Sequence, residues 1–189
     1  YGFLGMTLPT EYGGGDATFF EALMTLEGIG EVCPDTAQLV VATNTGNVQI
    51  VADLAPDRLA ERYLRPICEG KDAYVAVAMS EPGAGSAVTD IDTTAEDDGD
   101  AFVVDGQKAW VSDAGRAEAF VTYARFPDGN VGSLLIDAEN QGVEVAEPDE
   151  NTAGEAQDSI YCCLLYTSDA ADVTLRAGGS GRRLPHQYK

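Results

Sequence analysis

Apolar residues recur at three-to-four-residue spacing through residues 1–70, then give way to short continuous or alternating apolar runs broken by glycine, aspartate and proline. Phe19, Phe20, Leu23, Met24 and Leu26 form one helical stripe, with Asp16 placed to cap a helix that reaches about Val32. Pro34-Asp35 restarts a helix carrying Leu39, Val40, Val41, Val48, Ile50 and Val51, interrupted by the polar stretch Asn44-Thr45-Gly46-Asn47. A third, short helix follows Pro56-Asp57 and is expected to stop at Pro66, since proline has no N–H to continue the ladder. Together these predict a partial helical bundle.

After Gly70 the pattern becomes that of strands, which places a domain boundary between residues 70 and 71. Residues 74–79 read as a buried strand that ends abruptly at Ser80-Glu81-Pro82. Asp98-Gly99 and Asp105-Gly106 each predict a tight hairpin turn, because glycine accepts positive φ there. Residues 120–125 and 133–136 are further strands joined by the turn Pro127-Asp128-Gly129-Asn130, and residues 143–145 can add another. The expected class is α+β: the partial helical bundle followed by a small antiparallel β-barrel domain over residues 71–161.

The densest chemistry lies between Tyr74 and Ser112. Pro82, Gly83 and Gly85 shape a turn whose backbone a ligand can approach closely, and Ser80 and Ser86 flank it with hydroxyls suited to an anionic or carbonyl-bearing ligand. The spacing is not a dinucleotide fingerprint, because Val88 stands where the third glycine belongs, and no Gly-Lys-Ser/Thr phosphate loop occurs. On the turn alone, a plain connecting loop is the better explanation. The carboxylates of residues 90–105 miss EF-hand spacing, since Ala101 falls where the glycine is required, so a solvated acidic hairpin is expected and no metal site.

Ala78-Met79-Ser80-Glu81-Pro82-Gly83-Ala84-Gly85-Ser86 followed by Gly106-Gln107-Lys108-Ala109-Trp110-Val111-Ser112 closely resembles the two flavin-binding signatures of the acyl-CoA dehydrogenase family. Leu8-Pro9-Thr10-Glu11-Tyr12-Gly13-Gly14 is similar to the family's Pro-Glu-Glu-Tyr-Gly-Gly element. Arg62-Tyr63-Leu64-Arg65-Pro66 with Glu69-Gly70-Lys71 is similar to the helix end before its middle domain. The resemblance covers residues 1–161. It implies an FAD enzyme of fatty acid metabolism that removes hydrogens from the α and β carbons of an acyl-CoA thioester, passing a hydride to flavin N5 and electrons to an electron-transfer flavoprotein.

Residue by residue, the resemblance assigns FAD contacts to Val77, Ala78, Met79, Ser80, Ser86, Trp110, Val111 and Ser112. Trp110 matches the tryptophan packed on the isoalloxazine, Ser112 the hydroxyl near N5, Ser80 the hydroxyl at the pyrimidine side, and Ser86 a serine touching both the FAD pyrophosphate and the acyl-CoA. Two departures stand out: Ala87 replaces the usual aspartate after Gly-Ser, and Val111-Ser112-Asp113 replaces Ile-Thr-Asn. The catalytic base is expected on a carboxy-terminal helical domain, and that domain is expected to be missing here. No catalytic residue is therefore assigned, Glu81 is read as structural, and the chain alone is expected to be inactive. The family usually forms dimers or tetramers.

Composition changes the picture in one respect. The 189 residues carry 32 acidic against 11 basic side chains, a formal charge of −21, which would repel nucleic acid and anionic membrane. Lysine occurs only at Lys71, Lys108 and Lys189. A dispersed acidic excess with scarce lysine suits a high-salt cytoplasm, where screening cuts the reach of repulsion to ~3 Å at about 1 M salt. Folding is expected to need salt, and equal melting temperatures in low and molar KCl would contradict it.

Cys33, Cys68, Cys162 and Cys163 lack metal or redox spacing, so the first two read as small hydrophobes in a reducing, cytoplasmic protein. No apolar run indicates a membrane span or signal peptide. The only histidine is His186, which leaves no Ser-His or Cys-His nucleophile system. Residues 162–189 lose both the resemblance and the acidic bias. Because residues 163–172 resemble translated sequencing-adapter DNA, this tail is expected to be non-native and to lack stable packing.

Two other readings keep some of these features. An acyl-CoA oxidase or related flavin monooxygenase shares the fold but hands electrons to oxygen. A noncatalytic acidic ligand-binding β-module would keep the strands and hold no FAD.

Overall fold

The computed structural model describes residues 2–71, 73–99 and 102–146 in full, and residues 149–150, 156–164 and 174–175 as backbone. It divides into two compact units, Tyr1–Val75 and Ala76–Lys189. The expected tail falls outside the described residues except for the strand backbones at 162–164 and 174–175.

The first unit holds, among the described residues, the helices α1 (Phe19–Gly30), α2 (Pro34–Ala42), α3 (Asn47–Leu54) and α4 (Asp57–Cys68). Thr18, not Asp16, caps α1. Its hydroxyl accepts from the Glu21 amide at 3.3 Å while Glu21 accepts from the Thr18 amide at 2.8 Å, a reciprocal capping box. Asp16 is instead left-handed, at φ 48°. The apolar stripe of α1 is a second departure: Phe19, Phe20, Leu23 and Met24 are exposed, and Ala22 is the helix's buried residue. Periodicity reports that a face is apolar, not which element covers it.

The polar interruption after α2 is a buried hub. Fully buried Asn44 donates to Phe3 O and Val40 O, both at 2.8 Å, and accepts from the Thr7 amide at 3.0 Å, which satisfies a side chain that would otherwise be costly to bury. Asn47 donates to Val75 O. Helix α4 continues past Pro66 to Cys68, because a proline near the last turn removes a single ladder bond and leaves those behind it intact. It ends in a Schellman motif: Gly70, at φ 73°, donates to Ile67 O and Lys71 donates to Pro66 O, each at 3.0 Å. Cys33 and Cys68 are free and half-buried.

The second unit is built on a sheet of β1 (Val75–Ala78, whose first residue belongs to the first unit), β2 (Thr94–Asp97), β3 (Phe102–Ser112), β4 (Ala119–Arg125), β5 (Val131–Asp137), β6 (Val143–Val145), β7 (Asp149–Glu150), β8 (Ala156–Leu164) and β9 (Thr174–Leu175). The order is β6-β8-β3-β2-β4-β5-β9, with β1 on β4 and β7 on β8. The expected α+β class is found. The sheet is mixed, though, because β2 meets β4 in parallel at Thr94 and Arg125, and among the described residues no pairing of β6 with β9 closes a barrel. Asp98-Gly99 does turn β2 into β3, but Asp105-Gly106 lies inside β3 and is no turn.

Ala95, Val104, Val111, Phe120, Ala124, Phe126, Leu134 and Ile136 are among the residues that form the core. Thr122 lies between Phe120 and Ala124 at strand period and faces the same way. Its hydroxyl is, among the described residues, the one buried side-chain polar atom without a hydrogen bond. Thr122→Val replaces that hydroxyl by a methyl of similar shape and is expected to stabilise by about 1 kcal/mol. Thermal denaturation should show the melting temperature rising by a few degrees.

Candidate functional site

The end of β1 and the middle of β3 bring the two signature stretches together. Val77 and Ala78 belong to β1, and Met79 and Ser80 follow it half-buried. Glu81 and Ala84 exchange backbone hydrogen bonds at 3.0 and 3.1 Å, closing a two-residue turn over Pro82-Gly83. The Ala109 amide donates to Ser80 O at 2.9 Å and so joins this turn to β3. Ser86 lies exposed on the same loop, and no hydrogen bond among the described residues ties it to β3.

Gly83 and Gly85 depart from what glycine in a turn suggests. Neither has positive φ, and a Cβ added at either would meet nothing within 4 Å. Among the described residues, neither backbone strain nor packing requires glycine at these two positions. What glycine leaves there is a bare backbone facing open space.

Strand β3 carries an irregularity where the candidate residues are. It pairs with β8 in regular register up to Lys108 opposite Ile160, then resumes with Val111 opposite Asp158. Two residues, Ala109 and Trp110, thus oppose one, which is a β-bulge. Trp110 has φ 55°, a left-handed conformation rare for a large side chain. Period-2 alternation breaks as a result: Lys108, Ala109 and Val111 are buried while Trp110 is 57 % exposed. Ser112 beyond it is exposed too.

Beneath the bulge is a buried ion pair that sequence reading did not assign. The Lys108 side chain is 0 % exposed, and its Nζ donates to Glu81 Oε1 at 2.7 Å and to Met79 O at 3.1 Å. The same Glu81 oxygen accepts from the Thr93 amide at 3.0 Å and from the Thr93 hydroxyl, while Oε2 accepts from the Asp92 amide at 2.6 Å. Burial alone would push the Glu81 carboxyl up, but the Lys108 ammonium, the Thr93 hydroxyl and the two amides outweigh it and hold the group at about 2. Both carboxylate oxygens are thus engaged by donors from Lys108 and residues 92–93. Local pattern gives no hint of this burial. A signal existed only in the pairing of a lone glutamate and a lone lysine within two apolar signature stretches.

Gly106 explains the close fit of β3 on residues 92–93. A Cβ there would lie 2.3 Å from Thr93 Oγ1 and 2.7 Å from Thr93 Cα.

Comparison with known proteins follows these elements. Residues 1–71 match the model of the acyl-CoA dehydrogenase N-terminal domain and residues 76–170 that of its middle domain. Cyclohex-1-ene-1-carbonyl-CoA dehydrogenase of Geobacter metallireducens is 36% identical over 137 residues, 72% of this chain and 36% of the relative. 3-Sulfinopropanoyl-CoA desulfinase of Paraburkholderia xenovorans is 32% identical over 122 residues, 65% of this chain and 31% of the relative. The chain therefore spans about a third of the length of these curated relatives. In fold it is similar to a glutaryl-CoA dehydrogenase of Mycobacterium smegmatis solved in complex with FADH2, with a TM-score of 0.83 at 17% identity, over 94% of this chain and 45% of that one.

Proposed function

The chain belongs to the acyl-CoA dehydrogenase family, and from that premise we propose that it supplies part of an FAD site in an enzyme that dehydrogenates an acyl-CoA thioester between its α and β carbons. One observation carries the reading: an exposed tryptophan, held in a strained left-handed bulge, stands next in sequence to the residue hydrogen-bonded to Ser80, on a turn whose two glycines leave bare backbone toward open space. Strain of that kind persists only where the surroundings impose it, and it gathers at ligand sites. The residues fit a flat ring bearing polar edges.

Within this reading, the Trp110 indole gives the isoalloxazine an apolar plane to lie against and excludes water from it. Ser80 and Ser112 offer hydroxyls that donate or accept as the charge on the ring changes. The backbone at residues 77–79 and Val111 contributes further contacts, and Ser86, exposed at the far side of the turn, faces the pyrophosphate and the acyl-CoA. Bound FAD would supply the hydride acceptor. None of the described residues is assigned as the base that takes the α proton. Transfer of electrons onward to an electron-transfer flavoprotein, a dimeric or tetrameric assembly and a cytoplasmic location belong to the same proposal.

Gly85→Ala separates ligand approach from folding. The added methyl meets nothing within 4 Å among the described residues, so the melting temperature should stay put, whereas FAD affinity, measured by flavin fluorescence titration of the intact protein, should weaken about tenfold, or 1.4 kcal/mol. Unchanged FAD affinity in this variant removes the turn from the site. If the intact protein holds no FAD at Trp110, the noncatalytic β-module becomes the better account.

A further inference from the structure

The Glu81–Lys108 pair is a poor device for stability alone. Both groups are almost wholly removed from water, and a buried ion pair replaced by apolar side chains of similar size commonly leaves a protein as stable or more so. What an apolar pair could not do is tie three separate backbone segments in one geometry. Glu81 holds the amides of Asp92 and Thr93, Lys108 reaches Met79 O, and both belong to the stretches that carry Ser80 and Trp110. Lys108 is also the last residue of β3 in regular register before the bulge, so clamping it there fixes where the extra residue must fall.

We propose that Glu81 and Lys108 act together as positioning residues that hold the Trp110 bulge against the Ser80 turn, and thereby set the affinity of the cofactor site. The proposal rests on the FAD reading only for its second half. The first half concerns the bare protein, and Trp110, the only tryptophan of the chain, reports on it directly.

The test compares the unaltered protein with Lys108→Met and with the double variant Glu81→Gln/Lys108→Met, using melting temperature, acrylamide quenching of Trp110 emission without FAD, and FAD titration. Lys108→Met strands a buried carboxylate and should lower the melting temperature; the double variant, with no buried charge, should recover most of that loss. In the double variant, quenching of Trp110 should still differ by about twofold and FAD should bind about tenfold more weakly, which a merely structural pair would not produce. A double variant with unaltered quenching and unaltered FAD affinity overturns the proposal. If the unaltered protein holds no FAD while quenching shifts in the variants, the cofactor reading fails and the positioning of Trp110 stands. Thr93→Val removes one donor to Glu81 and leaves the charges paired; it should move quenching in the same direction by less, and it decides the matter if neither Lys108 variant folds.

Discussion

Gly106→Ala is expected to destabilise the second unit by about 3 kcal/mol or more, at the upper end of what overpacking costs. The methyl would enter space held by Thr93, and one of the obstructing atoms is Thr93 Cα, so rotating a side chain does not relieve the clash. Either β2 moves away from β3 or Thr93 leaves Glu81. The first breaks the hairpin pairing of Thr94 with Asp105, and the second withdraws an amide and a hydroxyl from a buried carboxylate. Denaturant unfolding followed by circular dichroism would measure the loss. Wild-type stability in this variant would show that residues 92–93 have slack that the structure does not display.

Lys108→Met should cost about 3–5 kcal/mol, the usual penalty for removing one partner of a buried ion pair, since Glu81 would stay charged, buried and without its strongest neighbour. Its signature is in the pH dependence. With its partner present, the folded Glu81 carboxyl lies at about 2, below its ordinary value of 4.5, so its contribution is complete above about 4.5 and is lost as pH falls toward about 2. Without Lys108, burial has less to oppose it and the folded value rises. The acid unfolding transition of Lys108→Met is therefore expected at higher pH than that of the unaltered protein. A mutant that loses stability by the same amount at pH 3 and pH 7 would show that the two groups are not coupled.

The helical half of the chain was legible where the signals are local. Pro34 and Pro56 mark helix starts to within a residue or two, and the break at residues 44–47 separates two helices, because capping and proline geometry depend on near neighbours only. The error at Asp16 is of the same kind, since Thr18 with Glu21 three residues on is itself a local signature and was there to be read. The α1 stripe is a different failure. Its apolar spacing is real, and nothing within a helical period says whether a partner lies over it.

In the second unit the strands around Phe120 and Ser133 were found and the Asp98-Gly99 turn with them. Asp105-Gly106 carries the same dipeptide and makes no turn. There glycine serves a contact thirteen residues away, with Thr93, and a dipeptide has the same composition in either case. Of the candidate site residues, Met79 and Ser80 are tied to β3 through Lys108 and the Ala109 amide, while Ser86 in the same stretch lies on an exposed loop.

The sequence by itself determined the family, the α+β class and the helix starts at Pro34 and Pro56, together with the strands near residues 75–78, 119–125 and 131–137, because these are written in residue type and short spacing. Only the tertiary structure decided that β2 pairs with β4 in parallel, that Trp110 is turned outward by a bulge, and that Lys108 and Glu81 meet in the dark beneath it. The reason is physical. Register slips and buried charge depend on which strands become neighbours across long loops, and the free energy of an ion pair depends on the water removed from around it, neither of which any local run of residues contains.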